Sequence, residues 1–142
     1  MNKENTKKLL TDFPDLYMEY TKPLTESLMC FGFDCGDGWF ELIYELSKRI
    51  SEYDPEVVAV QVKEKFGTLR FYIHGGDEKV DDMIDQAEWE SSETCEACGK
   101  LGSLRGTSWV ITLCENCWKK RLAEDQGECV EMEKKGTTWM AR

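Results

Sequence analysis

The chain has 142 residues, enough for one domain or for one domain with a small appended module. Hydrophobic residues make up 41% of it and charged residues 32%, a balance that provides a core and excludes wholesale disorder. Acidic side chains outnumber basic ones by 28 to 18, so the formal net charge is -10, which argues against a basic nucleic-acid coat protein. The first residues lack the apolar segment of a secretory signal, and all apolar runs are too short to cross a membrane. We therefore expect a cytoplasmic protein without membrane contact.

Residues 1–90 predict an acidic α+β domain in which helices flank a β-hairpin. The predicted elements are helices at 6–20 (broken near Pro14), 23–31, 38–53 and 78–90, and strands at 57–62 and 69–74. The helix at 38–53 has the strongest pattern, with apolar residues at intervals of three and four and Asp37 at the N-cap position. Residues 65–68 suit a hairpin turn, and Asp77 can cap the helix at 78–90.

Four of the seven cysteines form two Cys-x-x-Cys pairs, separated by fifteen residues. The pairs are Cys95 with Cys98 and Cys114 with Cys117. Thiolates three residues apart converge on one ion from a tight turn, and in a reducing compartment such pairs are more often metal ligands than disulfides. We predict one Zn²⁺ ion with a structural role, because four thiolates leave no open coordination position. A redox dithiol pair and an iron site are the alternatives.

The cysteine pairs predict a treble-clef zinc module at 91–127, followed by a C-terminal strand or tail at 128–142. Its parts are a turn at the first pair, a hairpin within 104–113 and a helix after the second pair. The module resembles GATA-type zinc fingers in its two pairs and in a Leu-Cys-x-x-Cys that leads into a helix. That resemblance implies DNA binding. Residues 95–121 contain five basic and two acidic side chains, and a zinc ion with four thiolates adds a charge of about -2. The net charge of the module is then near +1, which argues against DNA binding.

A second resemblance covers residues 32–118. Gly-Asp-Gly-Trp at 36–39, Gln-Val-Lys-Glu-Lys-Phe-Gly-Thr-Leu-Arg-Phe-Tyr at 61–72 and the cysteine module together resemble a group of small uncharacterised bacteriophage and prophage proteins. The resemblance implies a phage or mobile-element origin. Small phage proteins often bind a host protein, including host defence machinery, so a host protein is the expected partner.

The residues favour a non-enzymatic binding protein over two alternatives. Its candidate partner-binding residues form the acidic face of one helix: Asp77, Glu78, Asp81, Asp82, Asp85 and Glu88. Such a face suits a basic groove on a host protein that handles nucleic acid, or on a defence complex. The first alternative is direct nucleic-acid binding through basic residues of the hairpin and the zinc module: Lys63, Lys65, Arg70, Lys119, Lys120 and Arg121.

The second alternative is an enzyme. A Cys35–His74 dyad would provide a nucleophile and a base, but the aspartates flanking Cys35 disfavour its thiolate. A second metal site would need Cys30, Cys35, Cys129 and His74, whose spacing is not that of a zinc knuckle. A metal-dependent nuclease site at Asp54, Gln61 and Lys63 lacks the carboxylates that such chemistry requires.

Overall fold

The computed structural model describes residues 1–124, which form four helices and two small sheets. The helices are α1 (Lys3–Asp12), α2 (Phe40–Tyr53), α3 (Glu78–Ser91) and α4, which covers residues 115–124 of the described chain. The strands are β1 (Phe33–Asp34), β2 (Val58–Lys65), β3 (Thr68–His74), β4 (Ser103–Arg105) and β5 (Ile111–Leu113). The predicted mixture of helix and strand is confirmed. The predicted strand or tail at 128–142 lies outside the described residues.

The larger sheet has the order β1-β2-β3. Strands β2 and β3 form an antiparallel hairpin, and β1 adds a short parallel pair to the other edge of β2. Side chains alternate between the two faces. The opposed residues Val62 and Phe71 are both buried on the inner face, so the opposed Lys63 and Arg70 lie on the outer face.

The core lies between the inner face of this sheet and helices α2 and α3. Ile43 and Ile50 of α2, Val80 of α3 and Leu69 of β3 are fully buried in one cluster. Ser47 is the polar member of the buried face of α2, and its hydroxyl is hydrogen bonded to that of Tyr17 at 2.5 Å. The apolar spacing that predicted α2 is therefore the spacing of the residues that it buries.

Two predicted helices differ from the structure. The helix expected at 6–20 begins at Lys3 and ends at Asp12, because the residue before Pro14 is disfavoured from helical conformation. The helix expected at 23–31 is wrong, since only Leu28–Phe31 is helical, as a short 3-10 turn. There the Ser27 hydroxyl accepts a hydrogen bond from the Met29 N–H, which favours a turn over a continued helix.

The two predicted caps have different outcomes. Asp77 caps α3 as expected, because its carboxylate accepts hydrogen bonds from the N–H groups of Lys79 and Val80. Asp37 does not cap α2, which a 3-10 turn at Asp37–Trp39 precedes. Its carboxylate instead accepts from the Asn2 N–H at 2.7 Å and from the Asn5 amide at 3.2 Å, and so fastens the start of α1.

Candidate metal centre

The four predicted cysteines come together at one point. Their sulfur atoms all lie within 4.8 Å of one another, and Sγ of Cys98 lies 3.6 Å from Sγ of Cys114. Four sulfurs at about 2.3 Å from a tetrahedral zinc ion are about 3.8 Å apart, whereas the sulfurs of a disulfide are separated by about 2 Å. The cysteine cluster therefore has the donor set and spacing to hold a metal ion.

Local hydrogen bonds shape both cysteine pairs. The N–H of Cys95 donates to Lys100 O at 2.7 Å, and the N–H of Gly99 donates to Cys95 O at 2.9 Å with φ +85° at Gly99. This left-handed residue turns the chain back behind the sulfurs. In the second pair the Cys117 N–H donates to the sulfur of Cys114, which lowers the pKa of the Cys114 thiol to about 6. The side-chain hydrogen bond with Cys114 raises the pKa of the Cys117 thiol to about 12, so the thiolate is favoured at Cys114 and not at Cys117.

The loop at 36–39 packs directly onto the backbone of the first pair. The N–H of Gly38 donates to Glu96 O at 2.8 Å, and the indole N–H of fully buried Trp39 donates to Thr94 O at 2.8 Å. A Cβ on Gly36 or Gly38 would clash with the carbonyl oxygen of Glu96 or Cys95. These glycines are therefore needed for close approach, a role that the sequence analysis missed.

The tip of the β2–β3 hairpin forms a second contact with the cysteine module. The buried hydroxyl of Thr112 in β5 donates to Gly67 O at 2.7 Å. The side chain of Leu104 in β4 occupies the space that a Cβ atom would need if Gly67 were replaced by another residue. Two segments about 30 residues apart, the 36–39 loop and the hairpin turn, thus hold the module against the α+β domain.

Glu96 lies between the two cysteines of the first pair and faces inward. One carboxylate oxygen accepts a hydrogen bond from the Gly36 N–H at 2.9 Å, while the other is buried without a partner among residues 1–124. Burial raises the pKa of this carboxyl. A cavity of about 340 Å³ beside it is bounded by Ile111 and by Lys120 and Arg121 of α4.

The predicted acidic face lies along the exposed side of α3. Glu78, Asp81, Asp82 and Asp85 are exposed and have no ion-pair partner within the described chain. Two members of the predicted set have structural contacts. Asp77 caps the helix and accepts a hydrogen bond from the Tyr53 hydroxyl, which lowers the pKa of its carboxyl. Glu88 pairs with Arg70 at 3.0 Å.

The predicted basic residues fall into two separate groups. Lys63, Lys65 and Arg70 lie on the β2–β3 hairpin. Lys119, Lys120 and Arg121 lie on α4, where Lys119 pairs with Glu115 at 3.0 Å. The first group faces outward from the sheet, whereas Lys120 and Arg121 of the second border the cavity at Glu96, so the sequence-predicted cations do not form one site.

The second metal site considered in the sequence analysis can be compared with residues 1–124. The four cysteines are the only group there of three or more cysteine, histidine or acidic side chains whose ligand atoms converge. The second metal site considered for Cys30, Cys35 and His74, which their spacing disfavours, does not form among its described members. Its fourth member, Cys129, lies outside the described residues. Cys35 is buried, and burial, together with the nearby Glu96 carboxyl, raises the pKa of its thiol to about 12.

No protein-family model matches the chain, and neither a curated protein nor a solved structure shows significant similarity to it. In the part of the chain that the structure describes, every helix is too short or too polar to traverse a lipid bilayer.

Proposed function

We propose that this chain is a non-enzymatic binding protein, stabilised by one structural Zn²⁺ ion, that binds a basic host protein through α3. The observation that carries the proposal is the surface of α3. It exposes a row of carboxylates without ion-pair partners among residues 1–124, and Trp89, with 59% of its surface exposed, stands at the C-terminal end of that row.

The proposal of a structural zinc ion rests on the donor set. Four thiols with no histidine, carboxylate or open position among them match closed zinc sites, which contribute folding energy and not catalysis. The treble-clef assignment is supported by the order of the elements: a turn at Cys95–Cys98, the β4–β5 hairpin, and α4 starting directly after Cys114.

The charge pattern on α3 is unfavourable for the isolated helix. Asp81 and Asp85 are four residues apart, as are Glu78 and Asp82, and like charges at this spacing destabilise a helix by about 0.2–0.5 kcal/mol per pair. Trp89 continues the first row by another four residues. Exposed carboxylates that lead to an aromatic side chain complement a basic groove with an apolar pocket at one end. Such a groove is typical of proteins that handle nucleic acid.

A host protein is proposed as the partner because residues 32–118 resemble small phage and prophage proteins. An acidic helix that occupies a nucleic-acid site would inhibit the host enzyme or defence complex to which that site belongs. In this proposal the protein acts in the host cytoplasm, and α3 contacts the partner protein directly.

Affinity capture from nuclease-treated host lysate with the zinc-loaded protein tests this proposal. The double variant Asp81→Asn/Asp85→Asn removes two charges from α3, and Glu41→Gln/Glu45→Gln removes two exposed charges from α2 as a matched control. We expect a basic protein that the wild type and the control retain, and that the α3 variant or high salt releases. Equal retention by both double variants would contradict the role of α3.

A further inference from the structure

The outer face of the β2–β3 hairpin carries mainly polar and aromatic side chains. By register and alternation this face consists of Val58, Gln61, Lys63, Lys65, Thr68, Arg70, Tyr72 and His74. Glu64, the one acidic residue of β2, lies opposite buried Leu69 in the strand register and therefore belongs to the inner face. In a chain with a net charge of -10, this face of the hairpin has cations and no carboxylate.

Two cations on this face oppose each other directly. Lys63 and Arg70 form a cross-strand pair, an arrangement that destabilises an antiparallel hairpin because the charges are alike. Arg70 reaches the Glu88 carboxylate of α3 at 3.0 Å. In residues 1–124 no carboxylate lies within 4.0 Å of the ammonium group of Lys63 or Lys65. Both lysines therefore remain available to an anion from outside.

Two aromatic side chains frame these cations. Phe66 is the first residue of the two-residue turn between Lys65 and Thr68, with φ +55°, a conformation that favours asparagine or glycine. Phe66 is 70% exposed, and the ammonium group of Lys65 lies over its ring, 5.5 Å from the ring centre. Tyr72 is 43% exposed and lies opposite Gln61 at the other end of the face. Neither ring is positioned by the needs of the core.

We propose that this outer face binds single-stranded nucleic acid. In this proposal one base stacks on the ring of Tyr72 and another on the ring of Phe66. Lys63 and Lys65 lie between the two rings and bind the phosphates that connect those bases. Tyr72 lies four residues, or about 13 Å, along β3 from Thr68, which is the residue next to the turn. Strain and unpaired charge concentrated on one face are expected where function and not folding selects the residues.

A groove beside Tyr72 provides room for a base. It has a volume of about 470 Å³, and its walls include Gln61 and His74 from the sheet and Leu24 and Leu28 from the preceding loop. The amide of Gln61 offers hydrogen-bond donors and an acceptor to a base edge. Paired bases in a duplex have no free faces for the rings, so the arrangement favours a single strand.

Carboxylates at the border limit the strength of this binding. Asp34 of β1 lies beside Lys63 in the register, and Glu19 and Glu26 line the groove. The face therefore has cations for two or three phosphates. For single strands, each phosphate contact lowers the logarithm of the binding constant by about 0.7 when the salt concentration rises tenfold. With two or three contacts, a rise from 50 to 200 mM salt should therefore weaken binding roughly 7- to 20-fold.

Fluorescence anisotropy of a labelled twelve-residue oligodeoxythymidine, with the zinc-loaded full chain, measures this binding directly. We expect a measurable affinity at 50 mM salt with the salt dependence given above, and weaker binding to a blunt duplex. Tyr72→Val should weaken binding at least about fivefold, the factor for loss of one stacked base. Lys48→Gln, an exposed lysine on α2, is the control and should leave the affinity unchanged.

Phe66→Asn separates binding from folding. Asparagine suits the left-handed turn position, so this variant should raise the melting temperature while it weakens oligonucleotide binding. Absence of wild-type binding at 50 mM salt would overturn the proposal, as would binding that Tyr72→Val and Phe66→Asn leave unchanged. Binding lost only in a Lys120→Gln/Arg121→Gln variant would also overturn it, because α4 would then be the site. The α3 variants should retain the oligonucleotide, which keeps this test separate from that of the protein partner.

Discussion

Replacing Gly38 by alanine tests whether the 36–39 loop and the first cysteine pair form one packed unit. A Cβ on Gly38 would overlap the carbonyl oxygen of Cys95 and stand 2.6 Å from the carbonyl carbon of Glu96. Both neighbours are backbone atoms, so no side-chain rotation can relieve the clash. The backbones must separate, and the hydrogen bond from the Gly38 N–H to Glu96 O would lengthen or break.

The cost of this substitution follows from two contributions. Overpacking a tight interior contact costs about 1–3 kcal/mol, and loss of one hydrogen bond costs about 1 kcal/mol. The free energy of unfolding should therefore fall by about 2–4 kcal/mol, a large part of the roughly 5–15 kcal/mol of an ordinary domain. For a chain of 142 residues this corresponds to a melting temperature lower by about 6–12 °C.

Thermal unfolding followed by circular dichroism, together with zinc release to a chelator, measures the effect. Gly75→Ala is the control, because Gly75 has φ +87° but no atom closer than 3.8 Å to its would-be Cβ. It should lower stability only by left-handed strain, about 1–2 kcal/mol, and leave zinc release unchanged. Gly38→Ala should release zinc faster. A melting temperature within about 2 °C of the wild type, or unchanged zinc release, would refute the reasoning.

Two further predictions concern cysteines. Cys114→Ser should lower the zinc content below one ion per chain and lower the melting temperature with it. Cys30→Ser, outside the cluster, is the control and should change neither quantity. Full zinc occupancy in Cys114→Ser would show that the ligand set is wrong. Cys35 should resist iodoacetamide at pH 8 in the folded protein, because its pKa of about 12 leaves only about one thiol in ten thousand ionised. Peptide mass spectrometry measures this, and alkylation as fast as that of half-buried Cys30 would contradict it.

The elements that the sequence predicted well are those whose signals are local. The Asp77 side chain caps residues two and three positions later, and the buried residues of α2 repeat within one helix. The two cysteines of each pair likewise lie three residues apart, and the pairs meet across fifteen residues as a metal site with four ligands requires. In each case the partners lie within a short stretch of chain.

The features that the sequence did not predict depend on distant partners. β1 is two residues long, and its pairing with Val62 and Lys63 comes from a strand almost 30 residues later. Asp37 stands where a helix cap belongs, yet it binds Asn2 and Asn5 at the start of the chain. A local pattern cannot distinguish a residue that caps its own helix from one that fastens another.

The two glycines of the 36–39 loop show the same limit in a different form. Gly36 has an extended conformation, so a turn does not require glycine there. What requires glycine at Gly36 and Gly38 is the approach of a backbone about 60 residues later in the chain. Glycine beside a buried tryptophan is a signal of close packing, but the sequence does not say against what.

The contacts of the cysteine module link the metal centre to both proposed surfaces. The backbone at Cys95 and Glu96 receives the 36–39 loop, and Asp37 in that loop fastens the start of α1. On the other side Thr112 holds Gly67 and so fixes the turn that presents Phe66. Ser91 at the end of α3 accepts a hydrogen bond from the Leu69 N–H at 2.8 Å, which ties the acidic helix to the same hairpin. Since these contacts need the fold of the module, a metal ion held by the four cysteines would contribute to the geometry of faces that contain none of its ligands.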